Sequence, residues 1–325
     1  MPQAIFKFEK LLAEETKNHQ DRLCSKEKDM ESPINLFKTP KGQTQYYAAY
    51  DAALELWPVP HESRFVTTPY GQTHVISCGP ENAFPLVLLH AGQASSTMWF
   101  PNIADLSRNF HVLALDTPGE PGKSVPTRHN DSRHDCAAWL EGVMDELGIP
   151  RAHVMGLSRG GWLALNLALH APNRLERIVL LSPAAVFVAL NSFFSAVAQA
   201  VMRVPTRFVS KVALNSWVAR GFVVNPVFAD QFMTGLQNWN WNVNTSGYAG
   251  VMPCTFSDEE LRQIHHEVLL LIGDQDRLNP PKVLERARQT ILHLEAEIIP
   301  QAGHFLNMEQ PGSVNARILK FLTEI

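Results

Sequence analysis

An α/β fold built on a mostly parallel sheet is predicted by three observations. Strand-like runs alternate with helical ones along most of the chain, and a serine flanked by glycines lies between an apolar strand and an apolar helix. A helix-prone stretch of about seventy residues then interrupts the alternation, which resumes afterwards. With 325 residues, 45% of them hydrophobic, the chain can bury one large core.

Residues 1–45 are polar and charge-rich, with a helical-looking piece from Phe6 to Glu15, and read as an N-terminal extension. They form either a surface tail or a segment used in association or in closing the site. From Arg64 the pattern changes to a hairpin, with strands Phe65 to Thr68 and Thr73 to Ser77 around Pro69-Tyr70-Gly71. Strand Leu86 to Leu89, a helix near Asn102 to Leu106 and strand Val112 to Leu115 follow. Cys136, Trp139, Leu140, Val143, Met144 and Leu147 keep helical spacing until Gly148 and Pro150 stop the helix. Strand His153 to Leu157, a helix ended by Pro172 and strand Arg177 to Leu181 complete the first half. Residues 184–255, rich in Phe, Val, Ala and Trp, read as an inserted helical cap between core segments 46–183 and 256–325. The second core segment offers strand Val268 to Ile272, a helix near Pro281 to Leu292, strand Ala296 to Ile299 and a last helix from Ser313 to Leu322.

A net charge of −4 without a basic stripe argues against nucleic acid as a partner. Cys24, Cys78, Cys136 and Cys254 lie far apart with no paired spacing, which fits a reducing compartment or simply buried thiols, so disulfides are not expected; a cytoplasmic location is expected. The first twenty residues carry acids and lysines where a secretory signal needs an apolar core. Ile178 to Met202 has no charged residue and enough length to cross a bilayer. Pro183 and the scattered Ser182, Asn191, Ser192, Ser195 and Gln199 argue against a span, as does its β-branched beginning. The adjacent His265 and His266 point different ways and have no further ligand cluster, so no metal site is expected. A monomer or a homodimer is expected.

The chemistry is concentrated in Gly156-Leu157-Ser158-Arg159-Gly160-Gly161. G-x-S-x-G by itself is a weak pattern, but strand, sharp turn and helix here follow in order. Attack on an ester carbonyl needs an activated oxygen, a base within hydrogen-bond reach and an acid that orients the base. Ser158 is the candidate nucleophile. His304, on the loop after Ile298-Ile299, is the candidate base. Asp274 and Asp276 both follow Leu269 to Gly273, and Asp276 is preferred because in this architecture the acid commonly stands third after the glycine that ends the strand. Developing charge on the carbonyl oxygen needs fixed amide donors, for which the N–H of Arg159 and that of Gly92 are first choices, with Gln93 the second choice for the latter.

In His90-Ala91-Gly92, Gly156 to Gly161, Gly273 to Asp276 and Gly303-His304 the chain resembles the α/β-hydrolase fold family over residues 60–325. More narrowly it looks like the bacillar carboxylesterases of the naproxen-esterase type, through Leu56 to Val59, Gly71 to Ile76, Ser95 to Trp99 and Met308 to Pro311. The resemblance implies an eight-stranded, mostly parallel sheet with the cap after strand 6, and a cofactor-free serine hydrolase acting on a small-molecule ester. It implies that the cap shapes an apolar acyl or alcohol pocket. Candidate lining residues are Gln93, Met98, Trp99, Phe187, Trp239, Trp241 and Phe305, with helix packing and cap-core roles as the alternatives for Met98, Trp99 and the tryptophans. Two departures bear on the site. Ala91 stands where the family usually has glycine, so the oxyanion loop is expected to be reshaped. Arg159 follows the nucleophile, where its guanidinium can either recognise a substrate carboxylate or form a buried or cap-facing salt bridge. Rival readings are lactone, thioester or carbon–carbon bond hydrolysis on the same fold, and a non-catalytic ligand-binding protein that keeps the pocket.

Overall fold

A computed structural model describes residues 34–324 apart from 129, 192–195, 198–199, 202 and 241–253. The strands are β1 Glu62–Thr68, β2 Gly71–Cys78, β3 Pro85–Leu89, β4 His111–Leu115, β5 Val125–Pro126, β6 Ala152–Leu157, β7 Leu175–Leu181, β8 Glu267–Gly273 and β9 Leu294–Ile299. Among the described residues these nine form one sheet in the order β1-β2-β4-β3-β6-β7-β8-β9, with two-residue β5 paired to β2. The strand pairs from β4 to β9 are parallel, and the β1–β2 hairpin and the β2–β4 pair are antiparallel. The expected eight strands are thus present with the short β5 added, and β7, which leads into the presumed cap, is the sixth of the long ones.

Central strands buried on both faces need apolar side chains in succession, and all six residues of β6 are buried. Alternation divides their side chains between two cores. Leu88, Met155, Val179 and Leu269 face one, and Val87, Val154, Leu180 and Val268 face the other.

The longer helices are α1 Pro40–Leu54, α2 Arg133–Glu146, α3 Arg159–His170, α4 Arg207–Trp217, α5 Pro226–Asn238, α6 Lys282–Thr290 and α7 Pro311–Thr323. Helices α2, α3 and α6 bury their apolar stripes on the Val87 face, and α7 buries its stripe on the Leu88 face with residues of α1, α4 and α5. Their starts follow ordinary capping chemistry. Thr39, Ser132, Thr206 and Asn225 each accept a backbone N–H of the first turn, and Pro40 and Pro226 occupy first-turn positions where no donor is needed.

Helix α1 crosses residue 45, where the extension was expected to end. Leu36, Phe37, Tyr46 and Tyr50 are buried, Phe37 lies 5.1 Å from Trp239 edge to face, and Gly42 and Gly235 let α1 and α5 approach closely. The Phe6–Glu15 piece lies outside the described residues. No helix among the described residues is long and apolar enough to cross a membrane, and the beginning of the uncharged Ile178 to Met202 stretch is part of β7, inside the sheet.

Candidate active site

Ser158 sits between the end of β6 and the start of α3 with φ 55° and ψ −114°, in the left-handed half of conformational space. A non-glycine residue there stores about 1–3 kcal/mol of strain, which the surroundings must hold. They do so through the Ser158 N–H, donated to the Leu181 carbonyl at 2.9 Å, and the Ser158 carbonyl, which accepts from Trp162 at 3.2 Å and Ala184 at 3.0 Å. The flanking glycines serve close approach. A Cβ at Gly160 would lie 1.9 Å from the Leu89 carbonyl oxygen, and one at Gly156 would lie 2.1 Å from Gly160. Both distances are impossible, so the strand-to-helix turn closes only with glycine at these two places.

Two loops at the carboxyl ends of neighbouring parallel strands carry the other candidates. Asp276 follows β8 and His304 follows β9. His304 Nδ1 lies 3.0 Å from Asp276 Oδ2, and both side chains are almost wholly buried. Burial works against the charged form of Asp276, but the charge and hydrogen bond of His304, together with bonds from Asn279 and the Leu278 N–H, hold its carboxyl below the ordinary value. Asp274 has a different place: it is exposed and its Oδ1 accepts the Ala302 N–H at 3.1 Å, tying the strand end to the loop that carries His304. The His304 N–H itself donates to the Trp217 carbonyl at the end of α4, at 2.7 Å.

Glu309 completes the support of this loop. One carboxylate oxygen accepts the N–H groups of Gly303 (2.9 Å) and Ala219 (2.6 Å), and the other accepts the N–H of Phe305 (3.1 Å). Both neighbours of His304 and a residue just beyond α4 are therefore held by one buried side chain. Burial pushes the Glu309 carboxyl above its ordinary value, against the pull of those three donors and of His304.

The loop after β3 lies against the turn after β4. His90 Nε2 accepts the Thr117 N–H at 2.9 Å, which assigns the ring proton to Nδ1, 2.8 Å from the Ala91 carbonyl. Asp116, fully buried, accepts from the Tyr50 hydroxyl, from the N–H groups of Ser96 and Lys123, and lies 3.0 Å from His74 Nδ1. Burial opposes its charge, yet His74, His90 and the Lys123 N–H outweigh burial and hold the carboxyl well below the ordinary value. Ala91 does not adopt a left-handed conformation; the left-handed residue of this loop is Gln93, with φ 66°. The Gln93 N–H donates to Glu120 Oε2 at 2.7 Å, so it is engaged, whereas among the described residues the Gly92 N–H has no hydrogen-bond partner.

Arg159 is buried and its Nε lies 3.3 Å from Glu120 Oε1, the two side chains being 5% and 2% exposed. Of the two expectations for its guanidinium, the ion pair is the one this geometry contains. Glu120 was not found in the sequence, because a glutamate in a Pro-Gly-Glu-Pro turn reads as a solvated loop residue. Gln231 was missed as well: buried on α5, it accepts from the Thr97 hydroxyl at 2.6 Å and its amide donates to Ser95 Oγ at 2.8 Å. With Tyr46, Gln93, Ser95, Phe228 and Phe232 it closes around a gap beside the β3 loop that is too small for a water molecule.

The expected lining residues fall in several places. Met98 and Trp99 are fully buried under the β3 loop, and Met98 Sδ accepts the Ala91 N–H at 3.4 Å. Phe305 lies with Trp217 and Phe232 beside His304. Trp239 is fully buried against Phe37, as its packing alternative has it. Phe187 packs in the core on the Val87 face, with Trp162 and Phe256, whereas Phe232 and Phe305 belong to the core on the Leu88 face. Trp241 lies outside the described residues.

Residues 85–311 match the α/β hydrolase fold family. The uncharacterised carboxylesterase nap of Bacillus subtilis is 40% identical over 278 residues, 85% of this chain and 92% of its own length. The crystal structure of naproxen esterase (carboxylesterase NP) from Bacillus subtilis is similar at a TM-score of 0.82 with 39% identity, covering 88% of this chain and 100% of that one. The crystal structure of carboxylesterase CesB (YbfK) from Bacillus subtilis is similar at 0.83 with 35% identity, covering 87% and 99%. By sequence and by architecture, the chain belongs to the α/β-hydrolase fold family, among relatives that include these Bacillus carboxylesterases.

Proposed function

We propose that the protein hydrolyses small carboxylic esters through an acyl-enzyme on Ser158. The observation that carries this reading is the buried pair of His304 Nδ1 and Asp276 Oδ2, 3.0 Å apart, on loops at the same sheet end as the strained Ser158 turn. With Nδ1–H held by Asp276, the Nε2 of His304 is the free base. It removes the Ser158 Oγ proton as Oγ attacks the ester carbonyl. The N–H groups of Gly92 and Arg159 receive the developing oxyanion, the Gln93 N–H being already bound to Glu120. His304 then gives the proton to the leaving alcohol, and water, activated by the same ring, releases the acid. The chemistry asks for no metal or cofactor. Residues 184–255 act as the cap over this site. The carboxylesterase names of the similar Bacillus proteins support an ester over a lactone, thioester or carbon–carbon substrate.

The test is Ser158→Ala with p-nitrophenyl butyrate, alongside fluorophosphonate labelling of the unaltered protein. Turnover should fall by about 10⁴-fold or more with the circular dichroism spectrum unchanged, and the adduct should map to Ser158. Ester hydrolysis at the original rate by the variant would overturn the assignment.

A further inference from the structure

We propose that Glu120 is a positioning residue that registers the two arms of the oxyanion hole against each other; this rests on the esterase reading above. The two amides assigned to the oxyanion come from different elements, Gly92 from the loop after β3 and Arg159 from the first turn of α3. A transition-state oxygen is stabilised only if both N–H groups converge on one point, so something must hold these elements in register.

Glu120 touches both, one by a hydrogen bond and one by an ion pair. Its Oε2 accepts the N–H of Gln93 at 2.7 Å, and its Oε1 lies 3.3 Å from Nε of Arg159. Gln93 is left-handed without being glycine, so the backbone that orients the preceding Gly92 is strained and is held by that bond. The Cα of Gly92 faces the same pair: a Cβ there would sit 3.7 Å from Glu120 Oε1 and 3.8 Å from Arg159 Cβ. Glu120 is 2% exposed, so water cannot replace either contact cheaply. The Arg159 side chain thereby anchors the turn whose own N–H is a donor, and its charge answers that of Glu120 rather than a substrate's.

The experiment compares Glu120→Ala and Glu120→Gln with the unaltered enzyme by three measurements. These are kcat and KM for p-nitrophenyl butyrate, affinity for an alkyl trifluoromethyl ketone, whose Ser158 adduct carries an oxyanion, and affinity for the matching methyl ketone. Glu120→Ala should lower kcat about a hundredfold with KM within about threefold. Trifluoromethyl ketone affinity should fall by the same factor, with methyl ketone affinity held. Glu120→Gln keeps an oxygen for the Gln93 N–H and should recover about tenfold of the loss. If Glu120→Ala does not fold, Glu120→Leu combined with Arg159→Met, which leaves no buried charge, carries the same expectation. A folded variant with kcat within about threefold of the original, or with kcat lost and trifluoromethyl ketone affinity intact, overturns the proposal. Failure of the unaltered protein to label at Ser158 would instead overturn the esterase reading, so the two failures are told apart.

Discussion

At the scale of single residues the two aspartates after β8 separate cleanly. Asp276 Oδ2 is shared between His304 and Asn279, at 3.0 Å and 2.7 Å, while the Asp274 side chain accepts a backbone N–H of the neighbouring loop. Asp276→Asn should therefore lower kcat/KM by about 10⁴-fold, because an amide can present its NH2 to Nδ1 and reverse the tautomer. Asp274→Ala should cost less than about tenfold. Steady-state kinetics of the two variants on one ester checks both. Ser158, Asp276 and His304 stand out in the sequence as candidates because each lies at a fixed offset from a glycine and a strand end. Glu120, Gln231 and Tyr46 carried no such mark. Their roles come from which loops meet in space, and a lone polar residue in a turn or helix does not announce that. The packing of Phe187 and Trp239 was not legible for the related reason that an aromatic side chain near the site looks alike in a pocket and in a core.

Between elements the tightest constraint is the crossing of β3, β6 and α3. Gly160→Ala would drive a methyl group into the Leu89 carbonyl, 1.9 Å away, and this backbone cannot yield without moving α3 off the sheet. The substitution should destabilise the fold by about 3 kcal/mol or more and abolish labelling at Ser158, measured by urea unfolding and fluorophosphonate reaction. Glu309 sets a second constraint. Glu309→Ala would orphan three buried N–H groups, each worth about 1–3 kcal/mol, and release both neighbours of His304. A lowered melting temperature together with a fall in kcat is the expected result. The elements that were read from periodicity have the expected type, because buried parallel strands and amphipathic helices carry distinct patterns. Helix α1 was not read at all, since Thr39, Pro40, Lys41, Gly42 and Gln43 look like a polar tail until the Thr39 cap and Pro40 are seen to begin a helix.

For the whole molecule, acid stability depends on two buried carboxylates. Asp116 and Asp276 are both held below the ordinary aspartate value in the folded state. The stability they add is complete above the unfolded value, about 3.9, and is lost as pH falls through the lower folded values. Glu309 has the opposite sign: its carboxyl is raised, so its burial weighs against folding near neutrality and is relieved by protonation. Melting temperatures taken from pH 7 downward should decline most steeply below about pH 4, and Asp116→Asn should flatten that decline while lowering the neutral value.

The bond from the His304 N–H to the Trp217 carbonyl, and the grip of Glu309 on Ala219, make α4 and the loop that carries His304 one mechanical part. A designer who wished to exchange the region over the site for that of another esterase, as a way to change its substrate, could not cut at the ends of residues 184–255 and keep the rest. Residues 217–219 would have to stay with the sheet, or the histidine would lose its seat along with the lid.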